Sequence, residues 1–231
     1  MTDERLLNQQ VAYYRARADE YDQWFSREGR YERGPTHRAE WFAEVDIVRR
    51  ALSDAIKDGE VLELACGTGL WTEQLARENR SVLAVDASPE VIAINQNKLQ
   101  ASNVRYEVGD IFSWAPPKVF DVVFFGFWLS HVPSSRFERF WATVRAALKR
   151  GGYVFIVDSL LEQTSTAKDH DEVDSSGVVR RRLNDGREFE IVKVFWRPED
   201  LEQRLRSSGW DISVRRVGET SLYGAGRPAK D

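Results

Sequence analysis

The run Val61-Leu62-Glu63-Leu64-Ala65-Cys66-Gly67-Thr68-Gly69-Leu70-Trp71-Thr72, followed by Val82-Leu83-Ala84-Val85-Asp86, decides how this chain is read. An apolar strand stops at a glycine turn. A helix-like segment follows, and a second apolar strand ends in an acid. This is the plan of a βαβ nucleotide site: glycines let the backbone approach a ligand, and the acid accepts from ribose hydroxyls. Asp86 follows Gly69 by 86 − 69 = 17 residues, close to the roughly 20 that this geometry needs. The dinucleotide pattern is incomplete, because Thr72 stands where a third glycine would let the helix pack close to the strand. A glycine turn without any ligand is the bland alternative.

Working outward, strands and helices alternate. Strands are expected at Val61–Leu64, Ser81–Val85, Val104–Val108, Asp121–Phe125 and Tyr153–Val157. Helices are expected at about 70–79, from Ser88-Pro89, and over 134–148. Such alternation implies a parallel sheet with helices on its faces. Before it, apolar spacing predicts helices over 5–28 and 36–57, divided by Gly29 and Gly34-Pro35. After it, residues 162–176 are polar and read as a mobile loop. Asn184-Asp185-Gly186 predicts a hairpin between Val178–Leu183 and Glu188–Phe195. A helix from Pro198 to Gly209, strands near 210–217 and 219–224, and a frayed tail from Gly226 complete the chain.

Several local patterns, in this order, resemble those of class I S-adenosylmethionine-dependent methyltransferases. Glu63-Leu64-Ala65-Cys66-Gly67-Thr68-Gly69 is similar to the family's first motif, and Ala84-Val85-Asp86-Ala87-Ser88-Pro89-Glu90 to its second-strand pattern. Gly109-Asp110, Phe120-Asp121-Val122-Val123 with Leu129-Ser130-His131-Val132, and Lys149-Arg150-Gly151-Gly152-Tyr153 follow in the family's order. The resemblance implies a Rossmann-like α/β fold: a mostly parallel seven-stranded sheet with helices on both faces, an N-terminal helical lid and an inserted β-hairpin. Residues 1–231 read as one domain, with a lid region (1–58), a cofactor-binding core (59–160), an acceptor-side insertion (161–197) and a C-terminal helix and strands (198–231).

The family pattern implies S-adenosylmethionine as cofactor. Ala65, Gly67 and Gly69 would pass close to its methionine half, and Glu63 would help hold its ammonium. Asp86 would bind the ribose, with Ala87 beside the adenine. Asp110 would accept from the adenine amino group and Ile111 would pack on the ring. Phe125, Gly126 and Phe127 would line the sulfonium end. Tyr13 to Asp22 resembles the Tyr-Asp segment preceding the sheet in small-molecule methyltransferases, which makes Tyr21 a candidate lid contact with Trp24 and Phe25 nearby.

Methyl transfer to a hydroxyl or amine is helped by a base, and His131, at the end of the loop after the fourth strand, is the candidate. A loop hydrogen bond is its alternative role. Phe124-Phe125-Gly126-Phe127 lacks the Asp/Asn-Pro-Pro-Tyr/Phe motif of exocyclic-amine DNA methyltransferases, and it lacks acids for magnesium, so no metal is expected. Trp24, Trp41, Trp128 and Trp196 suggest an aromatic or apolar acceptor, methylated at oxygen in preference to nitrogen. Arg180-Arg181-Arg182 lies on an expected strand, where alternate members face opposite ways; a solvated sheet face is the favoured reading, and one arginine meeting an acidic acceptor group is the alternative.

With a net charge of −4 and scattered cations, the chain shows no nucleic-acid footprint. No apolar run approaches the ~18 residues of a membrane span, and the start lacks a signal-peptide pattern. Cys66, the only cysteine, fits a reducing compartment. The expectation is a cytoplasmic monomer or homodimer acting on a small molecule. Two other readings stay open: a nicotinamide-dependent oxidoreductase, and a cofactor-binding protein that methylates nothing.

Overall fold

A computed structural model describes residues 3–170 and 176–230. Its main sheet has seven strands: β1 (Glu60–Leu64), β2 (Ser81–Asp86), β3 (Val104–Val108), β4 (Phe120–Gly126), β5 (Leu148–Ser159), β8 (Trp210–Val217) and β9 (Ser221–Pro228). Their order is β3-β2-β1-β4-β5-β9-β8. The first five are parallel, and β9 pairs antiparallel with both β5 and β8. This is the Rossmann-like sheet that the sequence implies.

The pleat sorts side chains between two faces. Leu62 and Leu64 of β1, Val123 and Phe125 of β4, and Val154 and Ile156 of β5 enter one core. It is closed by α6 (Phe137–Ala146), α7 (Pro198–Ser207) and the start of α1 (Asp3–Ala16). Val61, Val122, Phe124, Phe155 and Val157 point the other way, into a core covered by α3 (Pro35–Ala55), α4 (Thr72–Glu78) and α5 (Pro89–Lys98). Ser88 caps α5 by accepting from the Val91 amide, with Pro89 in the first turn.

Three expectations change. The helix expected over 5–28 is broken: α1 ends at Ala16, a 3₁₀ turn spans Ala18–Glu20, and α2 covers Tyr21–Ser26. The apolar spacing runs through the break and hides it. At the break Arg17 turns inward, its guanidinium donating to the Tyr31 hydroxyl at 3.0 Å. The helix expected over 134–148 starts as a 3₁₀ turn, Ser134–Arg136, ahead of α6. The tail does not fray at Gly226. Strand β9 runs to Pro228, and Gly226 pairs with both Val154 and Ile212.

The hairpin forms as its turn signal predicts, but as a separate two-stranded sheet, β6 (Val178–Arg182) and β7 (Glu188–Val192), packed on α1. Of the polar stretch 162–176, residues 171–175 lie outside the described residues. A 3₁₀ turn spans Gln163–Ser165, and the Ser165 carbonyl accepts from Trp24 and Arg27. Among the described residues no helix is long and apolar enough to cross a membrane.

Candidate active site

Parallel strands bring their carboxyl ends to one edge, where α/β sheets take their ligands. At that edge lies a cavity of about 840 Å³, counting its open mouth. Ala65, Gly67, Asp86, Ala87, Asp110, Ile111, Gly126 and Phe127 line it, and Tyr14, Tyr21, Trp128 and His131 complete it. The sheet thus brings eight of the sequence-derived cofactor residues to one place, and α1 and α2 supply the wall over them.

Local conformation explains the glycine loop. Gly69 has φ +92°, and a Cβ there would stand 2.4 Å from Asn95 Oδ1, so only glycine fits. The loop is held by Asp86, whose carboxylate accepts from the Gly67 amide at 2.9 Å and the Ser88 amide at 2.9 Å. Burial raises the Asp86 carboxyl above its usual value. Asp110 accepts from the Phe112 amide at 3.0 Å through Oδ1. Asp22 of α2 reaches across to the Thr68 hydroxyl and to Lys98, tying the N-terminal segment to the loop.

Three sequence-derived residues sit elsewhere. Gly69 shapes the loop behind the cavity. Glu63 is buried beneath it, with burial pushing its carboxyl up to about 8 and with Oε2 lacking a hydrogen-bond partner among the described residues. Phe125 is in the core, edge-on to Phe140 and Trp141. Alternation along β4 sends it to the α6 side, whereas Phe127, just past the strand with φ 56°, turns into the cavity. The orphan Glu63 oxygen, the glycine cradle and Asp86 suit the ammonium, carboxylate and ribose of S-adenosylmethionine.

A second cavity of about 560 Å³ adjoins the first, sharing Tyr14, Tyr21, Phe127 and His131 as a partition. Its character is cationic. Arg17, Arg181 of β6, Lys193 and His170 line it among Tyr13, Tyr31, Ser159 and Ser165, with no carboxylate among the described residues. Along β6 the pleat buries Arg181 and leaves Arg180 and Arg182 exposed. Burial lowers the Arg181 guanidinium and, with Arg181 and Arg17 close by, holds Lys193 down at about 8. Burial also holds His170 at about 3, with Arg181 and Arg30 adding to it. Of the four tryptophans expected around an acceptor, only Trp24 lines this cavity. Trp128 lines the first, Trp41 is core, and Trp196 packs on Phe137.

His131 is buried with both ring nitrogens engaged. Nδ1 lies 2.8 Å from the Val192 carbonyl and Nε2 lies 2.7 Å from the Tyr14 hydroxyl. A carbonyl only accepts, so Nδ1 carries the proton and Tyr14 donates to Nε2. Burial, reinforced by Lys193, keeps the ring well below its usual value and therefore neutral.

Sequence reasoning missed Arg17, Tyr14, Lys193 and His170 as cavity residues. The one available signal was polar residues set in apolar runs: Arg17 between Tyr13-Tyr14 and Tyr21, and Lys193 inside Ile191-Val192-Lys193-Val194.

Comparison with known proteins agrees with this geometry. A family model described as a methyltransferase domain matches residues 61–152. The ubiquinone biosynthesis O-methyltransferase of Serratia proteamaculans is 32% identical over 139 residues, covering 57% of this chain and 54% of that protein. The chain therefore spans about half the length of that curated relative. The solved complex of DhpI with SAH is 39% identical, covers 100% of both chains and superposes with a TM-score of 0.80. A DhpI–SAM–HEP complex matches equally, over 99% of this chain and 100% of that one. With the sheet order, the glycine loop and these likenesses together, the chain belongs to the class I S-adenosylmethionine-dependent methyltransferases, and S-adenosylmethionine is its cofactor.

Proposed function

We propose that this methyltransferase transfers the methyl group to an oxygen of a small anionic acceptor, and that the acceptor lies in the cationic cavity. The observation that carries this reading is the set of Arg17, Arg181 and Lys193 around one cavity beside the cofactor site, with no carboxylate among the described residues that line it. Buried charge is costly unless paired. An anion supplies the missing partner, and charge-assisted hydrogen bonds from arginine orient it. The reading also draws on DhpI, solved with both SAM and HEP. It replaces an aromatic or apolar acceptor with a carboxylate, phosphate or phosphonate group.

In this reading Asp86 binds the ribose, Ala87, Asp110 and Ile111 meet the adenine, Gly67 and Ala65 the methionine backbone, and Glu63, beneath the first cavity, its ammonium. Gly69 keeps the loop clear of Asn95. Bound S-adenosylmethionine would supply an electrophilic methyl, its sulfur keeping the electron pair of the carbon–sulfur bond as the acceptor oxygen bonds to carbon. An anionic oxygen brings its own lone pair and has no proton to lose. His131 in this reading is a positioning residue that fixes Tyr14 and gives no base catalysis. Arg17, Arg181 and Lys193 hold the oxygen in line with the methyl, and Tyr21, Phe127 and Trp24 exclude water. No step calls on a metal.

The test is an acceptor panel with labelled S-adenosylmethionine: small phosphonates, phosphates and carboxylates against neutral phenols and amines. Labelled esters of the anions, lost in Arg181→Met while S-adenosylhomocysteine still binds, are expected. Transfer to neutral acceptors alone would overturn the anionic reading. Release of no S-adenosylhomocysteine with any acceptor would favour a binding protein that methylates nothing.

A further inference from the structure

Lys193 approaches the acceptor cavity with a fixed partner at its back. Its ammonium donates to the Ser130 hydroxyl at 2.8 Å. That hydroxyl has a single proton, which it gives to Asp158 Oδ1 at 2.8 Å. The buried Asp158 carboxylate also accepts from the Ser130 amide at 2.7 Å and the Ser159 amide at 2.7 Å. Ser130 and Asp158 are themselves almost solvent-free and are held by backbone: the Val194 amide donates to the Ser130 carbonyl at 2.7 Å. The serine hydroxyl cannot turn round, because its proton is committed to a carboxylate. Lys193 is thereby confined to donating. One N–H points to Ser130, which leaves two for the cavity.

From this arrangement we infer that Asp158 and Ser130 are positioning residues for the acceptor subsite, holding Lys193 as an oriented ammonium through a charge relayed across one hydroxyl. The inference rests on the anionic-acceptor reading above and names the device that keeps its third cation charged. Without it, Lys193 faces only like charge from Arg17 on the N-terminal segment and Arg181 on β6, both of which disfavour its protonated form. Asp158 on β5 is the one group that favours it. Of the other groups at the cavity, Arg17 and Arg181 are cations and Tyr31 accepts from Arg17, while His131 and His170 are depressed and Tyr13, Tyr14 and Tyr21 raised, which keeps these last five neutral across the range that matters. Lys193, at about 8, is the group that changes charge there near neutrality.

Sulfate is a suitable probe, since its charge is constant in this range. Its association constant with the full chain, measured by calorimetry at intervals from pH 6 to 10, should be flat in acid and fall above a bend near pH 8. Lys193→Met should abolish the bend. Asp158→Asn should move the bend down by half a pH unit or more, with affinity at the acid plateau within about threefold of wild type, as should Ser130→Ala. Ser130→Thr, which keeps the hydroxyl, should restore the wild-type position. A bend that stays in place in both Asp158→Asn and Ser130→Ala, while Lys193→Met removes it, overturns the relay and leaves the anion site standing. Sulfate binding indifferent to Arg181→Met and Lys193→Met would instead sink the anionic reading itself. If Asp158→Asn fails to fold by circular dichroism, Ser130→Ala against Ser130→Thr decides.

Discussion

Tyr14 gives its hydroxyl proton to His131 across 2.7 Å, and the far side of the same imidazole is tied to the Val192 carbonyl. The ring is therefore neutral, buried and doubly committed. In the unfolded chain it would take up a proton near pH 6.5, whereas in the folded protein its value is depressed. The unfolded state then binds more protons below about pH 6.5, so stability falls as pH drops from there towards the folded value. The slope approaches about 1.4 kcal/mol per pH unit for one such group. Urea denaturation at pH 7, 6 and 5.5 should show this loss, and it should be shallower in His131→Gln. Imidazole nitrogen NMR should show His131 unprotonated at pH 6, and a ring titrating at 6.5 would refute the geometry's consequence.

Glu63 carries the opposite sign. Burial raises its carboxyl to about 8, far above the usual carboxylate range. The stability that this protonation contributes is complete below about pH 4.5 and is lost as pH rises through 8. Glu63→Gln should melt higher than wild type at pH 8.5, with the difference shrinking towards pH 5. The same variant should bind S-adenosylmethionine at least tenfold more weakly, because an ammonium draws the Glu63 carboxyl into its ionised form and an amide has no ionised form to offer. Equal affinity would remove Glu63 from the cofactor site.

Asp86 spends both carboxylate oxygens on loop amides, at Gly67 and Ser88. Asp86→Asn should keep the fold and weaken S-adenosylhomocysteine by tenfold or more, about 1.4 kcal/mol or above. Calorimetry reads this directly, and an unchanged dissociation constant would show that the ribose is held elsewhere.

Gly226 lies where the sequence suggests a loose end and the structure shows a strand. A Cβ there would stand 2.0 Å from the Asp211 carbonyl oxygen, which is backbone and cannot swing aside. Gly226→Ala should cost on the order of 2–4 kcal/mol, as overpacking that forces backbone apart does. A denaturant midpoint within error of wild type would mean that β8 and β9 do not pair as described.

The core and the cofactor end were legible because their signals are local. Alternating apolar strands, a glycine turn and an acid at a strand end each occupy a few consecutive residues, and each stands at the sheet edge where that pattern put it. Phe125 shows the limit of reading residue by residue: it shares a strand end with Gly126 and Phe127, yet the pleat turns it into the core. The acceptor cavity was legible only in fragments. Arg17, His131, Arg181 and Lys193 come from segments far apart in sequence, and their meeting depends on how the hairpin packs on α1. His131 was singled out, for a base role, and Arg181 entered only as one of three arginines on an alternating strand. The break at Arg17 was invisible because a 3₁₀ turn preserves the apolar spacing closely enough to pass for helix.

The β6–β7 hairpin forms its own two-stranded sheet and shares no strand ladder with the seven-stranded one. Arg181 sits on this small sheet and Lys193 one residue past β7, while Ala65, Gly67, Asp86 and Gly126 line the other cavity at the edge of the large one. Lys193 and Val194 nonetheless bond to Ser130, and the Val192 carbonyl to His131, so the two sheets are tied together where the cavities meet. On the anionic-acceptor reading, redrawing the hairpin's side of the acceptor cavity leaves the ladder of the large sheet unbroken, provided these ties to Ser130 and His131 are kept.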